Sequence, residues 1–270
     1  MIPKHTLKYW IGVLVLLIVG FTACEEEIIK ADSTVDKTYY PLIIGNYVVY
    51  QLDSIIYDDF DGSDTTITLF VRELVESKFI DAGGNEVYRI ERAYKRSLTN
   101  VWGSAGYDIW YANFTGNNAE KVEENQRYIK LAFPLRLGKE WLGNQYINTQ
   151  PISDGGIDSM IENPLVYLDG WMYEVTALNE AKTIGNLSFD STVTVVQHQY
   201  GIQTDTIGGQ EIYAKNIGLI YKDLWVLSTQ CNRCNANDTA CKLECFNSPW
   251  LDKAEAGFVL KMKAIEYGAL

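Results

Sequence analysis

The residues with the plainest chemistry are four cysteines close together, Cys231-x2-Cys234-x6-Cys241-x3-Cys245. Two readings compete for them. Four thiolates in two short-spaced pairs meet the ligand count of a structural zinc site. In an oxidising compartment, an even number of close cysteines is instead a disulfide staple. The six-residue gap is short for a zinc ribbon, which favours disulfides over zinc. Asp238 to Phe246 can form one or two helical turns, placing Cys241 and Cys245 on one face. A nested pairing, Cys231 with Cys245 and Cys234 with Cys241, then closes a compact hairpin. Three connectivities remain open, since spacing does not choose among them. A thioredoxin-like role for Cys231-Asn232-Arg233-Cys234 requires the pair to open a helix in a βαβ setting, and this one sits among strands.

Other chemistries have weaker support. Asp58-Asp59-Phe60-Asp61-Gly62-Ser63-Asp64 offers four carboxylates, but it lacks the length and closing Glu of a calcium-binding EF-hand. A solvated hairpin loop accounts for it, and no metal site is assigned. The two histidines are His5 and His198. His198 lies at the end of a Val-rich strand with no G-x-S-x-G elbow in the chain, and it reads as a surface residue. No P-loop and no G-x-G-x-x-G occurs, so no nucleotide cofactor is implied. A net charge of −12 and a pI of about 4.7 argue against nucleic-acid partners, which are bound through clustered Lys and Arg. Trp102, Tyr107, Trp110, Tyr111, Trp141, Trp171 and Tyr173 could stack on sugars or line an acyl pocket; core packing is expected to claim most of them. These observations point to a protein that is not an enzyme.

The N-terminus carries a lipid-anchoring chemistry. Lys4, His5 and Lys8 precede a run of 14 uncharged residues, Trp10 to Ala23. A spanning helix needs roughly 20, so the run reads as a secretory signal, residues 1–23. It ends at Phe21-Thr22-Ala23-Cys24, which resembles the lipobox of bacterial lipoproteins. That resemblance implies a thioether between the Cys24 sulfur and a diacylglycerol. Each buried CH₂ would contribute about 0.8 kcal/mol to anchoring. Glu25, Glu26 and Glu27 follow, and this run resembles the surface-export signal of Bacteroidota lipoproteins. Residues 24–38 then form the lipidated Cys and an acidic tether. Loss of Lys4 and Lys8 with the signal leaves 21 basic against 35 acidic residues, a net −14.

Residues 39–270 must supply the scaffold, and they read as strands throughout. Tyr47–Tyr57 and Thr65–Ile80 are rich in β-branched and aromatic residues. Asp81-Ala82-Gly83-Gly84-Asn85 is a turn signal that joins the second run to Glu86–Arg96 as a hairpin. Tyr107–Phe114, Arg127–Phe133, Trp171–Thr183, Leu187–Tyr200, Glu211–Lys215 and Leu219–Leu227 continue the pattern. Near the end, Phe258, Leu260, Met262 and Ala264 share one face, while Lys261 and Lys263 face the other way. Short helices are expected at Asn118–Asn125 and in the Cys-rich loop, 229–250. The expected fold is mainly β: an antiparallel curved sheet, sandwich or half-open barrel in a single domain.

An internal echo divides that domain. Pro41-Leu42-x-x-Gly45 followed by Tyr47 is matched by Pro134-Leu135-x-x-Gly138 followed by Trp141. Two echoing halves, 39–133 and 134–270, are implied. With Tyr213-Ala214-Lys215-Asn216-Ile217-Gly218-Leu219-Ile220-Tyr221, these motifs resemble those of uncharacterised Bacteroidota outer-membrane lipoproteins. In that pattern a Trp stands where this chain has Val48. The resemblance covers most of the mature chain and brings no catalytic residues. It implies a lipid-anchored protein facing the cell exterior and partnered by the outer membrane through Cys24. Three functions are carried forward: a non-enzymatic interaction or accessory subunit of an envelope complex, a carrier of a lipid or other apolar ligand in a curved sheet, and an envelope hydrolase.

Overall fold

The alternation read from the sequence becomes a twelve-stranded antiparallel sheet in the computed structural model. The structure describes residues 36–58, 60, 63–150, 152–153, 160–161 and 164–270. The signal segment, Cys24 and Glu25–Glu27 lie outside the described residues.

Six strands make the first half: β1 (Asn46–Tyr57), β2 (Asp64–Ile80), β3 (Glu86–Lys95), β4 (Tyr107–Thr115), β5 (Asn118–Glu123) and β6 (Gln126–Ala132). The second half holds β7 (Glu140–Leu142), the small pair β8 (Ile152–Ser153) and β9 (Met160–Ile161), then β10 (Met172–Ile184), β11 (Leu187–Gly201), β12 (Asp205–Ala214), β13 (Gly218–Ser228) and β14 (Ala256–Ala269). The sheet order is β6-β5-β4-β3-β2-β1-β14-β13-β12-β11-β10-β7. The chain starts at the middle of the sheet, meanders out to one edge, crosses to the other edge and meanders back. β1 and β14 join the halves, with Asn46 opposite Ala269 and Tyr57 opposite Gly257.

The two edges meet. The Ile129 N–H of β6 donates to the Gly143 carbonyl just past β7 at 2.8 Å. The Trp141 indole N–H donates to the Ile129 carbonyl at 2.9 Å. The sheet is therefore a nearly closed up-and-down barrel, an arrangement that leaves little exposed edge. Its interior is filled by aromatic and β-branched side chains, among them Tyr39, Trp110, Phe133, Trp171, Tyr173, Val193 and Tyr213.

The echo is a structural repeat. Gly45 and Gly138 both take positive φ, +93° and +74°, the region glycine enters without a steric cost. The Gly45 N–H donates to the Val75 carbonyl and the Gly138 N–H to the Val175 carbonyl, each at 2.8 Å. In both turns the next residue donates back three positions, Asn46 to Ile43 and Lys139 to Arg136. The following strands then pair in matching register, Val48 opposite Glu73 and Trp141 opposite Tyr173.

Some local expectations change. Asn118–Asn125 is not a helix: Asn118–Glu123 is β5, and Glu124 and Asn125 both have positive φ, making a tight hairpin turn into β6. β12 begins at Asp205 rather than at Glu211. Asp36–Thr38 are held to the barrel, since Asp36 accepts from the Leu135 N–H at 2.8 Å and the Thr38 carbonyl accepts from Asn216 at 2.7 Å.

The Cys-rich loop forms two helices, α1 (Thr239–Asn247) and α2 (Trp250–Lys253). The Asp238 carboxylate caps α1 by accepting from the Cys241 N–H at 2.9 Å. Cys231 is bonded to Cys245 and Cys234 to Cys241, the nested pairing. All four sulfurs are thereby oxidised and unable to ligate zinc as thiolates. Among the described residues, no helix is long and apolar enough to cross a membrane.

Candidate functional site

Strand alternation sends charged side chains into the barrel as well as apolar ones. Glu73 on β2, Arg92 on β3, Lys121 and Glu123 on β5, Lys130 on β6, Glu211 on β12 and Lys222 on β13 converge there. Register sets the pairs: Glu73 stands opposite Arg92, and Glu211 opposite Lys222. A bulge at Ala119/Glu120 opposite β6 lets Lys130 point inward between buried neighbours.

The contacts form one chain. Glu73 lies 2.9 Å from Arg92 and 2.8 Å from Lys121. Lys121 reaches Glu123 at 3.7 Å, and Lys130 reaches Glu123 at 3.0 Å and Glu211 at 2.9 Å. Lys222 closes the group at 3.3 Å from Glu123 and 3.6 Å from Glu211. The Tyr213 hydroxyl donates to the second Glu211 oxygen. Aromatic faces support the cations: the Arg92 guanidinium lies 3.6 Å from the Trp110 ring centre, and the Lys121 ammonium lies 4.7 Å from it. Arg92 also donates to the Tyr94 hydroxyl, which donates to Asp108.

Burial alone would push these carboxyls up, because a low-dielectric interior disfavours charge. The neighbouring cations win. Lys130, Lys222 and Lys121 hold Glu123 well below the usual carboxylate range. Lys121 and Arg92 lower Glu73, and Lys130 and Lys222 lower Glu211. Burial would likewise lower Lys130, but Glu123 and Glu211 raise it well above the usual lysine value. Glu73, Glu123, Glu211 and Lys130 are therefore charged at neutral pH.

A cavity of about 70 Å³ opens beside this network. Tyr40, Val48, Tyr50, Glu73, Lys121 and Leu219 line it. Its origin lies in the repeat. Val48 occupies the place that Trp141 takes in the second half, and Glu73 occupies the place of Tyr173. The second half fills that position with two packed rings, 5.8 Å apart, while the first half leaves a gap with a carboxylate in its wall.

The residues singled out by sequence are scattered. The disulfide knuckle follows Ser228 and precedes Ala256, at the end of the strands away from Gly45, where Asp58 and Asp64 also lie. In that loop Asp58 accepts from the Phe60 N–H, while residues 59, 61 and 62 lie outside the described set. His198 is half-buried at the barrel wall. A bulge at Val196/His198 places it opposite Gly209, and its ring stacks on buried Trp171 with centroids 5.2 Å apart. Gly209 permits this, since a Cβ there would lie 3.2 Å from the Trp171 ring. Partial burial lowers the His198 pKa, so it is neutral at physiological pH. Of the seven aromatics, Trp110, Trp171 and Tyr173 are core, Trp141 and Trp102 are half-buried, and Tyr107 and Tyr111 are exposed.

Sequence reasoning missed the charged network. A signal existed: Lys121 and Glu123 alternate with partners on a strand flanked by turns, and Lys130 sits between Ile129 and Leu131. Charges in such positions are ordinarily read as solvent-facing.

No protein-family model and no curated protein matches the sequence. Among solved structures, a Bacteroides fragilis protein described as a "putative exported protein with YmcC-like fold" aligns over 84% of this chain and 97% of its own, with 10% identity and a TM-score of 0.38.

Proposed function

We propose that the protein is a lipoprotein of the kind found in the Bacteroidota outer membrane, anchored through acyl chains on Cys24 and displayed on the cell exterior. It acts there as a non-enzymatic interaction or accessory subunit of an envelope complex. The N-terminal charge-free run, Cys24 and the three glutamates support the address. The paired disulfides suit an oxidising compartment.

The observation that carries the functional class is the pairing inside the barrel. A general acid or base works best with a pKa near the operating pH. Here Glu73, Glu123 and Glu211 are pushed down and Lys130 is pushed up, away from that range. Such groups are fixed charges that hold the barrel together, not proton shuttles. This weakens the hydrolase reading. The lipid-carrier reading is weakened by enclosure: ligand pockets typically enclose about 300–1,000 Å³, the cavity beside the charges has about 70 Å³, and the larger space of about 510 Å³ at Ser54, Tyr57 and Phe258 is a shallow depression open to solvent.

Cell fractionation tests the anchor. Cys24→Ala should move the protein from the membrane to the soluble fraction, and retention of the variant in the membrane would overturn lipid anchoring. Protease treatment of intact cells should remove the wild-type barrel if it faces outward. For the functional class, mild detergent extraction should yield a complex with a stoichiometric envelope partner. A monodisperse lone protein would refute the accessory role.

A further inference from the structure

β2 outruns its neighbour on one side. It spans Asp64–Ile80, but β3 pairs with it only from Phe70, opposite Lys95, to Ile80. Past Lys95 the chain leaves the sheet in a run of bends and turns. Residues 64–69 are therefore paired with β1 alone, and their other side is a free edge. In an antiparallel strand every second residue directs its N–H and C=O to the same side, so this stretch presents about three donors and three acceptors with no strand to meet them.

Proteins ordinarily blunt such an edge with bulges, Lys or Pro. β10 beyond Val175 is open in the same way and is guarded: its register with β11 shifts at three places, and Glu180 and Lys182 stand along it. The stretch in β2 keeps continuous register with β1 and contains no Lys, Arg or Pro. Its inward face is also apolar and bare. Ile67 stands opposite Ser54, and Thr65 opposite Ile56, which in turn faces Phe258. Ile56 is 48% exposed and Ile67 37% exposed. Ile56 and Phe258 line the open depression of about 510 Å³. On the outer face of the same strands Trp250 of α2 packs in one cluster with Ile55 and Tyr57. The bare apolar surface is thus on the inner side.

Charge selects the occupant. Residues 46–71 hold five Asp and no Lys, Arg or His. Asp53 has Lys261 opposite it, but Asp58 and Asp64, at the turn end of the free edge, are in no ion pair among the described residues. Cations begin again only at Arg72 and Arg96, beyond the other end, and Arg72 is paired with Glu91. A second copy of this stretch would bring the same acid and no cation of its own. We infer that the free edge of β2 takes an extended segment of a partner protein in which apolar residues alternate with Lys or Arg. The segment adds as a strand in the place β3 vacates. Its apolar side chains lie on Ile67 and Ile56, and its cations share the outer face with Asp64. This deepens the accessory reading, on which it rests, by naming what the partner presents.

The probe is a short, blocked, fluorescent peptide of alternating Val and Lys, titrated with the full chain in mild detergent and followed by anisotropy. It should bind saturably with a Kd below about 1 mM at low salt. A Val–Glu peptide, and one with Val and Lys segregated into blocks, should bind at least about tenfold more weakly. N-methylation of all the Val amides or of all the Lys amides blocks one side of the added strand or the other, so one set should cost at least about tenfold and the other less than about threefold. Ile67→Lys sets a cation on the apolar shelf and should weaken binding at least about tenfold, and Asp64→Asn should weaken it about threefold with a smaller salt dependence. Micelle binding is common to wild type and variants and is subtracted. Melting curves would establish that the variants are folded, and the peptide series carries the test if either is not. Equal binding of the three peptides, equal response to the two methylations, or unchanged affinity in Ile67→Lys would overturn the inference. So would a concentration-dependent dimer that Ile67→Lys abolishes, which would assign the edge to a second copy. Failure of the accessory role reads differently: a lone protein in detergent extracts whose β2 edge still binds the peptide.

Discussion

Lys130 is the residue on which the interior charges depend most, and replacing it by Met tests the account of the network directly. Its ammonium is the closest cation to both Glu211 and Glu123, at 2.9 and 3.0 Å. Met keeps most of the volume, so the cavity penalty is small. What remains for Glu211 is Lys222 at 3.6 Å and the Tyr213 hydroxyl; for Glu123 it is Lys222 at 3.3 Å and Lys121 at 3.7 Å. Removing one partner of a buried pair costs about 3–5 kcal/mol. Lys222 offsets part of that, which places the expected loss near the lower end, about 3 kcal/mol at pH 7.5. The pH dependence has a definite sign. In the wild type, Glu123 and Glu211 are depressed below the unfolded value of about 4.3. Their contribution is complete above that pH and is lost as pH falls through the folded values. In the variant, burial becomes the largest influence on Glu211 and raises its pKa. The folded state then binds more protons than the unfolded state above pH 4.3, and stability increases as pH falls. The gap between wild type and variant should therefore narrow by on the order of 1 kcal/mol between pH 7.5 and pH 5. Urea denaturation followed by tryptophan fluorescence at both pH values measures it. The double variant Lys130→Met, Glu211→Gln should recover at least about half of the loss, because the stranded charge is gone. A loss under about 1 kcal/mol, or a gap that widens at pH 5, would refute the reasoning.

Two further outcomes follow from the fold. Gly257 has φ +104°, and a Cβ there would lie 1.9 Å from the Val226 carbonyl oxygen. Gly257→Ala should cost more than about 2 kcal/mol in a thermal melt, and an unchanged midpoint would show that β13 and β14 are less tightly paired than described. Intact mass without reductant should fall four hydrogen atoms short of the reduced chain, two for each bridge, and a bound zinc would exclude both bridges. Removing the Cys231–Cys245 bridge, with its separation of 14 residues, should cost about 3 kcal/mol, more than removing Cys234–Cys241 with its separation of 7.

The strands were legible wherever period-two alternation met a turn signal. Phe258, Leu260, Met262 and Ala264 do face inward on β14, and the Asp81–Asn85 turn does join β2 to β3. The nested cystine pairing was among the arrangements the spacing allowed, because Asp238 caps a helix that puts Cys241 and Cys245 on one side. Barrel closure was not legible. It rests on the meeting of Ile129 with Gly143 and Trp141, and nothing in a local pattern records which distant edges approach. The buried charges failed for a different reason. A Lys or Glu on a strand ordinarily marks the solvent side, so Lys121 and Glu123 made Asn118–Asn125 resemble a polar helix. Their side chains face inward because partners on β2, β6 and β13 meet them there. That compensation is tertiary, and a single strand cannot show it. The stacking of His198 on Trp171 was not legible for the same kind of reason: the bulge at Val196/His198 and the gap at Gly209 together bring its ring there.

The repeat separates what the backbone determines from what side chains decide. Gly45 and Gly138 make the same turn with the same hydrogen bonds, and the strands that follow pair in the same register. Topology therefore places equivalent positions at Val48 and Trp141, and at Glu73 and Tyr173. If the fold alone produced a cavity, both halves would have one at these positions. In the second half the two rings pack edge to face and the indole N–H bonds the Ile129 carbonyl, sealing the seam. In the first half the equivalent strand β1 lies at the centre of the sheet, paired on both sides, and has no seam to seal. The requirement for a Trp is absent there, and the position is free to hold a small residue over a charged floor. The cavity is thus a consequence of residue choice on a repeated frame. That is why a single substitution at Val48 can remove it while leaving the backbone that surrounds it in place.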